Sequence, residues 1–231
     1  MHTDHIIATY AERYVKDHEK ELIRLFADPN IFASSTRPIS VFMAGSPGAG
    51  KTEFSRRLVE HFLEDLPIRI DADDIRAWLP EYHGHNAHLF QKACTVGVNK
   101  LLDYAIRKNV NFILDGTFAY SHALKNIERC LQHKRRVVLF YLFQNPSTAW
   151  KFTKAREAIE GRRVTKDVFI TAFLKAQENV NRVKILYQDQ VELTMVVKDF
   201  RHNSEIIHSN ILSIDSFLPK RYTREELEEI L

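Results

Sequence analysis

Apolar residues recur along this chain in two alternating rhythms. Between Ile6 and Phe26, Ile7, Tyr10, Tyr14, Leu22 and Leu25 fall mainly at helical spacings among charges, which predicts an amphipathic helix or two short ones. Ala27 to Pro38, holding Pro29, Asn30, Ser34, Ser35, Thr36 and Pro38, has the composition of a loop. Ile39-Ser40-Val41-Phe42-Met43-Ala44 is then a nearly continuous apolar run, the pattern of a strand covered on both faces in a parallel sheet. The alternation continues with a helix from Lys51 to Leu63, a short strand from Ile68 to Ile70, a helix from His88 to Lys108, a strand from Val110 to Leu114 and a helix from His122 to His133. Val137 to Phe143 is the most apolar strand, Thr148 to Glu160 reads as a helix, and Glu192 to Val197 reads as a last strand. Phe169, Phe173 and Leu174 look like core positions of a further helix. Strands separated by helices imply right-handed crossovers, so the expected fold class is α/β, three layers around a mostly parallel sheet. Thr223 to Leu231, with Glu225, Glu226, Glu228 and Glu229, is expected to be a solvated terminal helix.

With 231 residues, 45% of them hydrophobic, the chain can bury one core with appendages. The expected division is an N-terminal helical segment and loop over 1–38, a core over 39–200 with a helical lid at about 148–166, and a C-terminal extension over 201–231, packed on the core or solvated. A net charge of +3 tolerates an anionic ligand without demanding a nucleic acid. Two cysteines, Cys94 and Cys130, and no signal-peptide pattern after Met1 point to the cytosol and to reduced thiols. No apolar run approaches the roughly 20 residues of a membrane-spanning helix, so no membrane is expected among the partners.

The chemistry starts directly after the first strand. Gly45-Ser46-Pro47-Gly48-Ala49-Gly50-Lys51-Thr52 fits G-x-x-x-x-G-K-[ST] at every position, between a buried strand and a helix. Such glycines let backbone N–H groups turn inward around phosphate oxygens, and the following helix aims its N-terminus at the same anion. Lys51 is placed to reach the β- and γ-phosphates, and Thr52 to hold Mg²⁺ through its hydroxyl, so ATP and Mg²⁺ are the expected ligands. The chain lacks an Asn-Lys-x-Asp base-reading segment, which argues against a GTPase. Phe112-Ile113-Leu114-Asp115-Gly116 lacks the second acid of an ATP-driven motor, and a kinase fits better.

A kinase needs a carboxylate at the ligand edge of the sheet, and Ile70-Asp71-Ala72-Asp73-Asp74-Ile75-Arg76 supplies several. Asp73 is the candidate base, with Asp71 as a second choice, while capping of a short helix accounts for at least one neighbour. Asp115, closing another strand, suits a substrate hydrogen bond or an outer contact to Mg²⁺. Arg156 and Arg163, flanking the break at Gly161, are candidates to stabilise the transferring phosphoryl group, with Arg162 behind them. His83, His85 and His88 have no metal-site spacing and read as surface or substrate-loop residues. Lys134-Arg135-Arg136 reads as a solvated turn and as the place to look for RNA contacts.

Taken together, residues 45 to 52, Ile-Asp-Ala-Asp-Asp-Ile-Arg at 70 to 76 followed by Leu79-Pro80-Glu81-Tyr82, and Leu-Asp-Gly-Thr at 114 to 117 resemble the zeta toxin family, from about Ile39 to Phe200. The resemblance implies a kinase that uses ATP and Mg²⁺ to phosphorylate the 3′-hydroxyl of the sugar in UDP-N-acetylglucosamine, and a small helical antitoxin as partner. It makes Lys51 and Thr52 the nucleotide residues, Asp73 the catalytic aspartate and Thr117 a substrate-binding residue; Asp71, Arg76 and Asp115 are further candidates to bind the substrate. It pairs Arg156 with Arg163 on the phosphates. Two positions depart from the family pattern: Asp115 stands where Glu is usual, and Asn99 falls where some members carry an acid on the long helix. The alternative enzyme is a polynucleotide 5′-hydroxyl kinase, whose Asp-Asp-x-Arg is matched by Asp73, Asp74 and Arg76 and which alone would take nucleic acid as substrate. An alternative of another class is a nucleotide-binding interaction protein without catalysis.

Overall fold

A computed structural model describes residues 2–62, 65–200 and 204–231, with backbone alone at residues 2 and 3. Its strands are β1 (Ile39–Ala44), β2 (Ile68–Asp71), β3 (Phe112–Asp115), β4 (Arg136–Gln144), β5 (Val191–Asp199) and β6 (Ser204–His208). They form one six-stranded sheet in the order β2-β3-β1-β4-β5-β6. β1 is central because every residue of Ser40 to Ala44 is buried, as a strand covered on both faces must be. It pairs in parallel with β3, Val41 opposite Ile113, and with β4, Val41 opposite Val138. β2 extends the parallel sheet beside β3 and β5 extends it beside β4, whereas β6 runs antiparallel on the outer edge. The carboxyl ends of β1, β2, β3 and β4 therefore meet at one edge, where Asp71 stands directly opposite Asp115.

The helices are α1 (His2–Asp17), α2 (Glu19–Phe26), α3 (Lys51–Glu60), α4 (Ala72–Trp78), α5 (Gln91–Arg107), α6 (Ala123–Gln132), α7 (Pro146–Glu160), α8 (Lys166–Tyr187) and α9 (Arg224–Ile230). One face of the sheet packs Phe42, Phe112, Leu139 and Leu193 against α1, α5, α6 and α8; on the other, Val41, Met43 and Ile113 pack against Phe54 of α3. Phe42 and Phe112 meet edge to face at 5.6 Å. Each such side chain contributes about 1.5–3 kcal/mol by leaving water. Asn145 caps α7, accepting from the N–H groups of Ser147 and Thr148, and Pro146 fills the first helical turn. Gly97 of α5 lets α4 approach closely: a Cβ there would lie 2.8 Å from Ile75 Cγ2.

The strand and helix order follows the hydrophobic pattern, with four differences. The helix expected to reach Leu63 ends at Glu60, and Leu63 lies outside the described residues. β6 was not expected, because Ser204 to Ile207 are all exposed and carry no alternation. The terminal helix is not merely solvated: Thr223 closes a capping box with Glu226, and Leu227 is fully buried in the core. Lys134-Arg135-Arg136 is a solvated turn only at its flanks, where Lys134 and Arg136 are exposed. Arg135 is 3% exposed, bonded to Ser40 Oγ at 2.6 Å and to the carbonyls of Val110 at 2.6 Å and Ile39 at 3.1 Å, and lies over the Phe112 ring. A guanidinium so enclosed joins three segments of backbone and offers nothing to RNA, and Arg136 is paired with Glu192. Among the described residues no helix is long and apolar enough to cross a membrane.

Candidate active site

The loop leaving β1 is shaped by its glycines. Gly48 has φ +71° and lies so close to α7 that a Cβ would sit 2.1 Å from the Ala149 carbonyl oxygen. Gly50, at φ +80°, is the N-cap of α3. Gly45 N–H donates to the Thr117 carbonyl at 3.2 Å, tying the loop to the end of β3. Lys51 is buried and donates to the Ser46 carbonyl at 2.6 Å, so its ammonium lies inside the loop as phosphate binding requires. Burial pulls its pKa down to about 8 against the upward pull of Asp115 and Asp71. Ser46 and Ala49 are buried in the turn, while Pro47 and Thr52 are partly exposed. The loop residues named from the sequence thus form one cradle at the sheet edge.

Asp71 and Asp73 divide their work. Asp71 is the N-cap of α4, accepting from the Asp73 N–H at 2.8 Å. Asp73 has no capping duty and points its carboxylate at cations: Arg162 donates to both oxygens at 2.5 and 2.6 Å, Arg156 donates at 3.1 Å, and buried Arg76 donates from its own helix. Burial raises the carboxyl's pKa, but the charges of Arg162, Arg76 and Arg156 outweigh it and hold Asp73 below the usual carboxylate range. Asp71 moves the other way, pushed up by burial and by the neighbouring charges of Asp115 and Asp73. Arg76 is 1% exposed and its Nε lacks a hydrogen-bond partner.

Asp115 sits behind the loop, accepting from Ser55 Oγ at 2.8 Å and from Arg69 at 2.9 Å. Arg69 also donates to Asp71 at 2.7 Å and to Asp74, so one guanidinium gathers three carboxylates. Thr117 is partly exposed, its hydroxyl accepting from Ala119 N–H at 3.4 Å.

Of the residues named from the sequence, Arg163 is the one the structure places apart: Arg162 reaches Asp73, and Arg163 faces a cavity beside Glu157 and Glu160. Gly161, in the left-handed region at φ +72°, ends α7 before these two, and it is Arg162 that faces Asp73. Sequence reasoning missed Arg69, Ser55 and Lys198. An arginine in the middle of a short apolar strand was the available signal for Arg69. Ser55 lies one helical turn beyond Lys51. Lys198, near the end of β5, donates to the Gly50 carbonyl at 3.3 Å and pairs with Glu205.

Comparison with known proteins places this geometry. A family model described as zeta toxin matches residues 24–211, most of the chain. Among solved structures, a chain of the PezAT chromosomal toxin–antitoxin system of Streptococcus pneumoniae is 18% identical, with a TM-score of 0.63 over 96% of this chain and 87% of that one. A chain of the AvrRxo1-ORF1:AvrRxo1-ORF2 complex with ATP is 11% identical, with a TM-score of 0.59 over 87% of this chain and 66% of that one. One from the Pnkp1/Rnl/Hen1 RNA repair complex is 16% identical, with a TM-score of 0.51 over 78% of this chain and 51% of that one. No curated protein sequence matches. At these identities the structures establish the fold, the family model establishes the lineage, and the chain belongs to the zeta toxin family of P-loop phosphotransferases.

Proposed function

We propose that this protein is an ATP-dependent kinase of the zeta-toxin type, transferring the γ-phosphate to a sugar hydroxyl of UDP-N-acetylglucosamine or a related UDP-sugar. The observation that carries it is Asp73. A carboxylate at the carboxyl edge of the sheet, free of capping work and set among Arg76, Arg156 and Arg162, shares its electrostatic surroundings with buried Lys51. The loop holds the donor's phosphates through backbone N–H groups and the Lys51 ammonium. The acceptor hydroxyl lies against Asp73; its oxygen attacks the γ-phosphorus, its proton passes to the carboxylate, and the bond to the β-phosphate oxygen breaks to release ADP. Arg156 and Arg162 exchange Asp73 for the equatorial oxygens of the transferring group, where their charge stabilises the transition state.

The residues present also suit Mg²⁺. Among the described residues no group of three carboxylate, histidine or cysteine side chains is arranged to hold a metal ion. Mg²⁺ at nucleotide sites instead takes one or two protein oxygens and completes its shell with phosphate and water. The Thr52 hydroxyl at the start of α3 would bind it, with Asp115, nearby through Ser55, in the outer shell. Bound there, Mg²⁺ neutralises charge on the β- and γ-oxygens.

Family membership supports the UDP-sugar and a small helical antitoxin as partner, and the PezAT structure describes a toxin–antitoxin system. A cytoplasmic setting follows for an enzyme acting on such a metabolite. The likeness to a chain of an RNA repair complex favours the polynucleotide kinase as the second reading. One assay separates them: γ-labelled ATP and Mg²⁺ with UDP-N-acetylglucosamine, a UDP-sugar panel, or 5′-hydroxyl RNA, with Lys51→Ala as control. Label on a UDP-sugar that depends on Lys51 is the expected result; label on RNA alone overturns the sugar assignment.

A further inference from the structure

Arg69 lies inside β2, two residues before Asp71, and shares its face of the sheet because side chains alternate along a strand. On β3 the same face carries Ile113, opposite Arg69, and Asp115, opposite Asp71. Ile113 packs with Phe54 of α3, so Arg69 runs along the α3 side of the sheet, with 15% of its side chain exposed.

Three carboxylates crowd the end of that face. Asp71 and Asp115 stand opposite each other, and Asp74 follows in the first turn of α4. Like charges this close repel strongly where water is partly excluded. Arg69 answers all three: Nη1 donates to Asp71 Oδ2 at 2.7 Å and to Asp115 Oδ2 at 2.9 Å, and Nη2 donates to Asp74. The contacts to Asp71 and Asp74 hold the planar fork still, so Asp115 receives its bond from a fixed donor.

Asp115 is engaged through one oxygen. Ser55 Oγ meets the same Oδ2 at 2.8 Å, and among the described residues no donor reaches Oδ1, although the side chain is only 4% exposed. Arg69 and Ser55 thus clamp one oxygen and leave the other as an unused acceptor in a nearly closed place. That place adjoins the phosphate loop. Of the acids near Lys51, Asp115 pulls most strongly on its ammonium, and Ser55 Oγ lies 3.0 Å from the Thr52 carbonyl oxygen. A carboxylate oxygen so placed can accept the O–H of a water carried by Mg²⁺ at Thr52.

The geometry points to Arg69 as a positioning residue for the metal–nucleotide, acting through Asp115: by holding Oδ2 it presents Oδ1 to the outer shell of Mg²⁺. The inference rests on the kinase reading above, from which it takes Mg²⁺ at Thr52. It gives Arg69 a task apart from that of Arg76, Arg156 and Arg162, which surround Asp73.

Metal-dependent binding tests it without any transfer. A fluorescent, non-hydrolysable ATP analogue is titrated into wild type, Arg69→Gln, Arg69→Lys, Asp115→Asn and the double variant Arg69→Gln/Asp115→Asn, in EDTA and across a series of Mg²⁺ concentrations. Arg69→Lys keeps a charge among the three acids but loses the fork, so it reads the role even if Arg69→Gln fails to fold. The expected half-saturating Mg²⁺ concentration rises about tenfold or more in Arg69→Gln and by a smaller factor in Arg69→Lys, while binding in EDTA stays within about twofold of wild type. The double variant should match Asp115→Asn alone. A wild-type Mg²⁺ dependence in the Arg69 variants overturns the proposal, as does an equal loss with and without metal, the mark of a merely structural residue. So do effects of the two substitutions that add in full, or wild-type binding that Mg²⁺ does not strengthen. No acceptor enters the measurement, so failure to label any UDP-sugar or RNA leaves its result standing, and failure of the Arg69 role leaves the kinase reading to its own assay.

Discussion

Arg162 Nη1 donates to both carboxylate oxygens of Asp73, at 2.5 and 2.6 Å, across 89 residues of sequence. This pair sets the proton affinity of Asp73. Desolvation alone would raise Asp73, and Arg162 is the largest of the charges that pull it down. Removing that charge must let the pKa rise. In Arg162→Gln the acid limb of the pH profile of kcat/KM is expected at higher pH than in wild type. An unmoved limb would mean that Asp73 is not the group titrating there.

Asp73→Asn is expected to keep nucleotide affinity and to lower the chemical step by about 10²- to 10⁴-fold in a single-turnover assay. The same substitution reduces stability, because Arg76 is buried and loses its charged partner. A charge-assisted hydrogen bond of this kind is worth about 1.5–3 kcal/mol. A folded carboxyl held below its unfolded pKa contributes stability above the unfolded value and loses it as pH falls through the folded one. The gap between wild type and Asp73→Asn in urea melts should therefore narrow on acidification below the ordinary carboxylate range. A gap unchanged down to the folded pKa would contradict the pairing.

Lys51 gives nucleotide binding a pH dependence on the alkaline side. With its pKa near 8, the ammonium begins to lose its proton above that pH, and bound phosphates favour the protonated form. Binding of an ATP analogue should take up protons near pH 8 and weaken as the pH rises further, up to about tenfold per unit while free Lys51 titrates and the complex does not. Calorimetry in buffers of different ionisation enthalpy measures the uptake directly. Lys51→Ala should abolish both the uptake and transfer.

How legible the site was depended on how local its geometry is. The loop at 45 to 52 is readable because phosphate binding by backbone N–H groups demands glycine at fixed spacing, and β1 because burial on both faces leaves no polar position except Ser40. Asp71 as a cap and Asp73 as the acid without capping work were both within reach of the sequence, since they follow from the turn at the end of β2. Which arginine meets Asp73 was not, because the left-handed residue Gly161 rotates the chain after α7 in a way that spacing does not encode. Arg135 was misread for a related reason: a basic triplet between elements looks solvated until three backbone carbonyls and a serine hydroxyl converge on its middle member.

The approach of the end of α7 to the loop carrying His83 and His85 rests on a residue with no side chain. Gly84 adopts φ +82°, unfavourable for any other residue, and an added methyl would sit 2.2 Å from the backbone oxygen of Glu160, which cannot swing aside as a flexible side chain does. Gly84→Ala should therefore cost about 1–3 kcal/mol and move the end of α7 away from that loop. Arg156 and Arg162 lie on either side of the displaced turn, so kcat/KM should fall further than the stability loss explains, towards the roughly 10²-fold that a misplacement of about 1 Å can cost. Gly116→Ala provides the contrast, since a Cβ there meets nothing within 4 Å and Gly116 has no left-handed φ. Urea denaturation of the two variants should give a clear loss for the first and a change within about 0.5 kcal/mol for the second. Equal stabilities would mean that the Gly84 contact does not hold α7 and the loop together.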